Sequence, residues 1–265
     1  MQDSPYLDPA MVAVYERVAA PFQFAAPASD LVKIIGLSEG AVVLDVGTGT
    51  GVVAAAAIAA VGISGIVIGT DSAFEMVRVA RNATHLVVAQ VPGLPFSDDT
   101  FDAVVAGFVV SHFESYLDGL REMLRVCRTG GHIGMSAWGS APNPAASLWS
   151  DLAAQFAPRE RLTEAFLKQI PWDTWFSRID NVGEALWSAG LSSVTTETRF
   201  YTVRMPTPAY LLSREASIQG LILRRQLTSA QWDHFKITAA EAFEKKFGDS
   251  VEYDRDAHFG VGTKR

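Results

Sequence analysis

Residues 42–51 read Val42-Val43-Leu44-Asp45-Val46-Gly47-Thr48-Gly49-Thr50-Gly51. An apolar run that ends in alternating glycines predicts a buried parallel strand, a tight turn and a helix, here expected from about Val52 to Val61. Glycines at alternate positions let the backbone turn sharply and approach a ligand where a Cβ would collide. We therefore expect a flat, extended ligand across this turn. The alternative is a strand–turn–helix without a ligand.

The charge beside the turn indicates which kind of ligand it suits. A dinucleotide-binding fingerprint needs a third small residue at the position that Val52 occupies. Asp45 lies two residues before the first glycine, where its carboxylate repels a pyrophosphate and attracts an ammonium or sulfonium group. The turn therefore favours a cationic ligand.

Strand and helix patterns alternate after the turn, which predicts a parallel sheet with right-handed crossovers. Asp71 ends the second strand, where its carboxylate is placed to accept both hydroxyls of a ribose, as in other doubly wound nucleotide sites. A plain helix-entry acid is the alternative, and Ser72-Ala73-Phe74-Glu75 has the pattern of a capping box. The second strand is expected at Gly65–Thr70. The later strands are expected at His85–Ala89, Ala103–Gly107, His132–Trp138, Ser192–Tyr201 and Val251–Thr263, the last of them antiparallel.

Several spaced motifs carry a family resemblance. The glycine turn, Asp71, Leu94-Pro95-Phe96 with Phe101-Asp102, and Arg125-Val126-x-x-x-Gly130-Gly131 resemble class I S-adenosylmethionine (SAM)-dependent methyltransferases, in particular the ubiquinone/menaquinone-methyltransferase-like group. The resemblance spans about Tyr15 to Trp138, with Thr129 in place of the usual proline. It implies SAM as cofactor and an α/β, Rossmann-like class I methyltransferase fold. That fold has a seven-stranded, mostly parallel sheet with its last strand antiparallel, and helical cap insertions.

The resemblance also implies a set of cofactor-binding residues. Gln90 stands where the family usually has an Asp that accepts from the adenine amino group, and its amide oxygen accepts the same bond without charge assistance. Tyr15 and Met76 also suit a packing role. Phe108 follows the fourth strand, where the family's motif reaches the methyl-donor end of the cofactor. The implied set is Tyr15, Asp45, Gly47, Thr48, Gly49, Asp71, Ser72, Met76, Gln90, Val91 and Phe108.

His112 is the best candidate for a general base. The sequence has no Asn-Pro-Pro-Tyr motif, which amino-methylating enzymes use, and no obvious carboxylate set for a catalytic metal. An imidazole with a pKa near neutrality suits removal of a proton from a hydroxyl or an acidic carbon. Capping or packing at a strand-to-helix junction is the alternative for His112, and His132 is expected to be structural.

Helical segments surround this region. Helices are expected at Pro9–Ala19 and Pro27–Ile35, on either side of Pro21-Phe22-Gln23-Phe24, and from Ser115 to Arg128, from Asn181 to Gly190, from Thr207, and from Thr228 to Gly248. We interpret 1–265 as one methyltransferase domain. Within it, residues 1–40 form an N-terminal helical cover, and 141–179 and 205–248 form aromatic-rich helical cap insertions over the ligand edge.

Composition limits the partners. A formal net charge of -7 and a pI near 5.2 argue against nucleic acid as substrate, because no basic stripe neutralises phosphates. Cys127, the single cysteine, lies in an apolar helical pattern and cannot form an internal disulfide, which favours a reducing, cytoplasmic location. No signal-peptide pattern opens the chain. Residues 52–69 lack charge but divide at Gly62 to Gly65, so we expect soluble core and no membrane span.

These features predict SAM-dependent methyl transfer to a small hydrophobic metabolite. Oxygen or carbon is favoured as the methylated atom, and nitrogen stays open. One alternative is a methyltransferase-like fold that performs a cyclisation or rearrangement, and another is a non-catalytic SAM-binding protein. The sequence leaves a homodimer open.

Overall fold

The computed structural model describes residues 4–81 and 83–265; residues 1–3 of the expected N-terminal cover lie outside this part. The described chain divides into two compact units. The first comprises residues up to Gln23, Ala141–Ile170 and Phe200–Arg255. The second comprises Phe24–Ser140, Pro171–Arg199 and Asp256–Arg265. The segment expected as the first cap insertion, 141–179, is therefore shared between the units.

The strands are β1 (Val42–Val46), β2 (Ile66–Asp71), β3 (His85–Val88), β4 (Phe101–Gly107), β5 (Cys127–Trp138), β6 (Ser192–Pro206) and β7 (Ser250–Thr263). Within residues 4–81 and 83–265 they form one seven-stranded sheet in the order β3-β2-β1-β4-β5-β7-β6. The neighbouring strands β1 to β5 pair parallel, and β7 pairs antiparallel with β5. This confirms the predicted fold class and the antiparallel last strand.

The helices, in chain order, are α1 (Pro9–Val14), α2 (Ala25–Ile35), α3 (Val52–Val61), α4 (Phe74–Val79), α5 (Tyr116–Val126), α6 (Pro144–Ala153), α7 (Arg159–Gln169), α8 (Asp173–Phe176), α9 (Ile179–Ala189), α10 (Thr207–Glu215), α11 (Ile218–Gln226) and α12 (Ser229–Phe247). Residues 52–69 divide into α3 and the start of β2, as expected from the break at Gly62 to Gly65. None of the helices in the described part of the chain is both long and apolar enough to cross a membrane.

The second unit is built on an aliphatic core. Its sheet buries Leu44, Val104 and Ile133 completely. Helices α5 and α9 pack against each other and contribute further apolar side chains. Each fully buried Val, Leu, Ile or Met side chain stabilises the fold by roughly 1.5–3 kcal/mol relative to its exposed state. The buried helix residues in this cluster are Leu120, Met123, Val126, Val182, Ala185, Leu186 and Ala189.

The first unit has an aromatic core. Trp149, Tyr210, Phe235 and Phe243 are almost completely buried and make stacked or edge-on ring contacts. Helix α12 begins at the expected place with a capping box, in which the Thr228 side chain accepts from the Gln231 amide and the Gln231 side chain accepts from the Thr228 amide. Most of the aromatic side chains expected in the two insertions therefore pack inside this unit.

Several expected boundaries are wrong, among them the end of β6, which continues to Pro206 rather than ending at Tyr201. The helix after β2 begins at Phe74, with Ala73 rather than Ser72 at its N-cap and no side-chain cap hydrogen bond; the Ala73 amide donates to Asp71 Oδ1 instead. Strand β5 begins at Cys127, so this buried cysteine lies on a strand rather than a helix. The chain stays helical through Tyr15–Phe24, with wide π-type turns, where a break at Pro21 was expected.

Candidate functional site

The turn after β1 has no room for a side chain at its first glycine. Gly47 has φ +67°, and a Cβ placed on it would lie 2.3 Å from Cγ2 of Val109, which follows β4. Gly49 and Gly51 also have positive φ values of 56° and 94°. An L side chain is disfavoured in that conformation, so the backbone favours glycine at all three positions, and packing against Val109 also requires it at Gly47.

Asp71, at the end of β2, is hydrogen-bonded directly to this turn. Its Oδ2 accepts from the Gly49 amide at 3.0 Å, and its Oδ1 accepts from the Ala73 amide at 2.8 Å. The Thr48 amide donates to the Thr70 carbonyl at 2.8 Å. A carboxylate oxygen that accepts one bond keeps a lone pair for another donor, so Asp71 can still accept ligand hydroxyls.

Asp45 is completely buried behind the same turn. Its Oδ2 accepts from the Thr48 hydroxyl at 2.7 Å, while its Oδ1 has no partner with hydrogen-bond geometry in the described residues. Burial raises the pKa of Asp45 to about 7, against the opposing effects of the Thr48 hydroxyl and the Ala54 amide. Burial also raises the pKa of Asp71. A buried carboxyl with an unused oxygen fits a ligand that carries positive charge.

The loop that contains Gln90 is tied down by two residues of α5. Glu122 Oε1 accepts from the amides of Gly93 and Leu94 at 3.1 and 2.8 Å. Arg125 donates to the carbonyls of Leu94 and Phe96 at 3.1 and 2.8 Å. Gln90 itself is exposed. We call Glu122 and Arg125 the loop clamp.

The loop clamp was not predicted from the sequence. Arg125 was expected only to end a helix, whereas Glu122 and Arg125 are also one helical turn apart and pair at 2.9 Å. This pairing lowers the pKa of Glu122 and raises that of Arg125. An acid and an arginine three residues apart, opposite a Leu-Pro-Phe loop, are the signal that could have revealed the contact.

His112 lies in a tight turn, Val110–His112, directly after β4. Trp172 holds this segment: its amide donates to the Ser111 carbonyl at 3.2 Å, and its Nε1 donates to the Phe113 carbonyl at 3.0 Å. Burial lowers the pKa of His112 to about 4. The expectation of a near-neutral pKa is therefore wrong, because desolvation disfavours the imidazolium. The ring is neutral at pH 7 and is a weak base.

The remaining predicted residues differ in their surroundings. Met76 is 3 % exposed and packs in the core, whereas Ser72 is exposed and Val91 is half-buried. Phe108 follows β4 with a positive φ of 57°. Tyr15 belongs to the first unit, where its ring lies 6.1 Å from that of Tyr6, so its cofactor contact stays a prediction.

The surroundings of Cys127 and His132 indicate structural roles. Cys127 is buried, and desolvation raises the pKa of its thiol to about 11, which makes it a poor nucleophile at neutral pH. The His132 ring forms a hydrogen bond with the Thr263 hydroxyl across β5 and β7, which agrees with the structural role expected for it.

Comparison with known proteins identifies the segment that carries this site. Residues 44–135 match the family described as "Methyltransferase domain". Over these residues, about a third of the chain, the protein is similar to class I SAM-dependent methyltransferases. The match begins in β1 and ends in β5, so it contains the glycine turn, Asp71, the loop clamp and His112. It is narrower than the span from Tyr15 to Trp138 over which the motifs resemble the family.

Curated relatives agree with this assignment. The ubiquinone/menaquinone biosynthesis C-methyltransferase UbiE of Geobacter sulfurreducens is 38% identical over 109 residues, which cover 38% of this chain and 43% of that protein. Demethylmenaquinone methyltransferase of Shouchella clausii is 37% identical over 112 residues, covering 39% of this chain and 48% of the relative. The aligned part of the methyltransferase domain thus spans less than half the length of these relatives.

Solved structures extend the likeness of the fold to most of the chain. Phosphoethanolamine N-methyltransferase 2 of Haemonchus contortus, in complex with SAM, aligns with a TM-score of 0.59 and 16% identity, covering 97% of this chain and 57% of that one. The cyclase SpnF aligns with a TM-score of 0.51 and 17% identity, covering 90% and 81%. Identities this low show a shared fold and not a shared reaction.

The raised pKa of Asp45 predicts pH-dependent cofactor binding. Without a ligand, Asp45 keeps its proton up to about pH 7, and a cationic ligand favours the ionised form. Calorimetry should therefore show SAM affinity falling about tenfold from pH 8 to pH 6, because only about a tenth of the carboxyls are ionised at pH 6.

Asp45→Asn provides the control for this pH dependence, since Asp71 lies nearby and its pKa is also raised. The affinity of Asp45→Asn should be weaker at pH 8 and nearly constant with pH. The same raised pKa predicts that the ligand-free fold loses stability as the pH rises from about 4 through about 7. An unchanged pH slope in Asp45→Asn would assign the titration to another group.

The loop clamp predicts an effect on cofactor affinity from residues that are not in the predicted binding set. Glu122→Gln or Arg125→Met should weaken SAM binding about tenfold by calorimetry, because charge-assisted bonds that fix the Gln90 loop are lost. Arg121→Met is the matched control, since Arg121 is exposed on the same helix and faces Asp118 at 3.9 Å. Equal affinities in all three variants would separate the loop from the cofactor site.

Proposed function

We propose that this chain transfers the methyl group of SAM to a small hydrophobic metabolite, with oxygen or carbon as the favoured acceptor atom. The observation that carries the proposal is the hydrogen bond between the Asp71 carboxylate and the Gly49 amide. It joins the end of β2 to the glycine turn of β1 inside the segment that matches the methyltransferase family. The Asp71 carboxylate suits the ribose of a nucleotide ligand, and the glycine turn allows the ligand to approach the backbone closely.

We assign the roles of the binding residues from their chemistry. Asp71 accepts the ribose hydroxyls, Asp45 supplies negative charge behind the turn, and Gly47 and Gly49 allow close backbone approach. Gln90 and Val91 contact the adenine, and Ser72 and Met76 border it. Thr48 acts indirectly, because its hydroxyl holds Asp45. SAM, when bound, supplies an electrophilic methyl on a sulfonium. The protein therefore has to align the acceptor and exclude water.

Charge and relatives support a small acceptor. The net charge of -7 disfavours polyanions, and the curated relatives are named for quinone biosynthesis. The aligned segment covers less than half of those relatives, so their substrates guide the choice of acceptor panel only. Label transfer from methyl-labelled SAM to quinols, phenols and lipids, in parallel with DNA, RNA and protein, tests the proposal. Label found only in a macromolecule would contradict the acceptor class.

Asp71 provides the sharpest test of the cofactor site. Asp71→Ala should weaken SAM binding by about 1.5–3 kcal/mol, roughly ten- to a hundredfold, because charge-assisted bonds to the ribose are lost. Asp180→Ala is the matched control, since Asp180 is exposed in the first turn of α9. Calorimetry that gives equal affinities for the two variants would remove Asp71 from the site.

His112 is proposed to accept a proton from the acceptor. His112→Gln should lower kcat by about tenfold or more and leave SAM affinity nearly unchanged, and the loss should shrink above pH 9 as the acceptor ionises unaided. With a pKa of about 4, this imidazole should cause no inflection in kcat between pH 6 and pH 8. Full activity of His112→Gln at pH 7 would return His112 to a packing role.

The label-transfer assays also distinguish the alternative reaction, a cyclisation. The fold similarity to the cyclase SpnF is the reason to test for it. Conversion of an acceptor while SAM remains methylated would identify that reaction. Binding of SAM with no conversion of any acceptor would indicate a non-catalytic SAM-binding protein.

A further inference from the structure

Three aromatic residues meet where β4 and β5 end. Strand β4 ends at Gly107, directly before Phe108, and β5 ends at Trp138. Phe24, in the helical segment before α2, contacts both rings. We call Phe24, Phe108 and Trp138 the aromatic shelf. Ligands of open parallel sheets bind at this carboxyl edge of the strands.

In the aromatic shelf, two rings are stacked on each other and the third meets both of them edge-on. Phe108 and Trp138 are stacked, with ring centroids 4.0 Å apart and an interplanar angle of 23°. Phe24 meets each ring edge-on at 5.4 Å. All three side chains are half-buried rather than enclosed. Stacked and edge-on arrangements of this kind are the ones in which aromatic rings attract one another, so a planar ligand can extend the stack.

The shelf stands apart from the core of the same strands. The last buried positions before it are small or aliphatic: Val105, Ala106, Met135 and Ala137. Phe108 has a left-handed φ of 57°, which costs a bulky L residue about 1 kcal/mol or more. Val109, the next residue, packs against Gly47 of the glycine turn. The strained backbone thus places the Phe108 ring next in the chain to Val109, the residue that packs against the glycine turn.

A buried hydroxyl lies next to the shelf. Ser136 is 1 % exposed, and its Oγ has no hydrogen-bond partner in the described residues. The Phe108 amide donates to the Ser136 carbonyl at 3.1 Å. Ser136 and Trp138 are two residues apart on β5, so their side chains leave the same face of the strand. A buried hydroxyl without a partner is costly, and a polar substituent on a ligand ring would satisfy it.

We propose that the aromatic shelf and Ser136 form the acceptor subsite, and that it takes a planar aromatic ring bearing a hydroxyl or carbonyl group. The ring stacks on the Phe108–Trp138 wall, and its oxygen forms a hydrogen bond with the Ser136 hydroxyl. This inference rests on the proposed methyl transfer for the identity of the neighbouring cofactor. It narrows the acceptor from hydrophobic metabolites in general to aromatic or quinoid ones, and it excludes saturated lipids.

Direct binding of model compounds tests the subsite without any turnover. Ligand-observed NMR should give 2-naphthol an affinity about five- to tenfold higher than that of decahydro-2-naphthol, its saturated counterpart, with or without S-adenosylhomocysteine. Trp138→Leu should reduce this preference to about twofold or less, and Trp138→Phe should keep most of it. Trp187→Leu is the control, since Trp187 is 54 % exposed on α9.

Ser136→Ala separates a binding role from a structural one. Removing a buried hydroxyl that has no described partner should leave the melting temperature unchanged or raise it. The same change should weaken 2-naphthol binding about threefold or more. Loss of thermal stability in Ser136→Ala with unchanged 2-naphthol affinity would assign the hydroxyl to the fold and overturn its place in the subsite.

Two outcomes distinguish failure of this inference from failure of the proposed function. Equal affinity for the aromatic and saturated probes, or a preference that survives Trp138→Leu, overturns the subsite, even if calorimetry shows S-adenosylhomocysteine bound normally. Absence of S-adenosylhomocysteine binding contradicts the proposed function. The subsite then stands or falls by the 2-naphthol preference measured without the cofactor.

Discussion

The close approach of Gly47 and Val109 is the constraint on which the ligand edge depends. A Cβ at Gly47 would collide with Val109 at 2.3 Å, so the turn after β1 can meet the segment after β4 only through glycine. With that contact made, the Gly49 amide reaches the Asp71 carboxylate at the end of β2. Three strand ends are thereby held together by backbone and short contacts. These contacts also position the segment after β4, which contains Phe108 and His112.

Electrostatics then determine what the junction can bind. Asp45 and Asp71 are close enough that the charge of one raises the pKa of the other, in addition to the larger effect of burial. A second anion, such as a pyrophosphate, would add to that repulsion. A cation reverses it, because it stabilises both ionised carboxyls at once. In the proposed site, Asp45, two places before the first glycine, would favour a sulfonium-bearing nucleotide over the dinucleotides that the same strand–turn–helix holds in other proteins.

The sequence predicted the features that depend on neighbouring residues. The bounds of α3, the start of α12 after Thr228 and the end of α9 at Gly190 agree with the structure, since each follows from local periodicity or turn chemistry. The errors arose where the outcome depends on more than the local pattern. The helix after β2 has Ala73 rather than Ser72 at its N-cap, and burial lowers the pKa of His112 in a way that no local pattern encodes. The loop clamp was missed because it joins segments about 30 residues apart.

The low pKa of His112 limits the acceptors from which this residue could take a proton in its proposed role as general base. A base with a pKa of about 4 removes a proton efficiently only when the acceptor is itself fairly acidic or is ionised by other means, because proton transfer follows the pKa difference. Phenols, quinols and carbons activated by a ring hydroxyl ionise far more readily than aliphatic alcohols. Trp172 fixes the His112 segment by two hydrogen bonds, so the imidazole is a weak base but its segment is held in place. A weak base is sufficient for an electrophile as reactive as a sulfonium methyl, since correct placement of the nucleophile is then the main requirement. The proposed base, His112, and the proposed acceptor subsite on the aromatic shelf therefore favour the same class of acceptor for independent physical reasons.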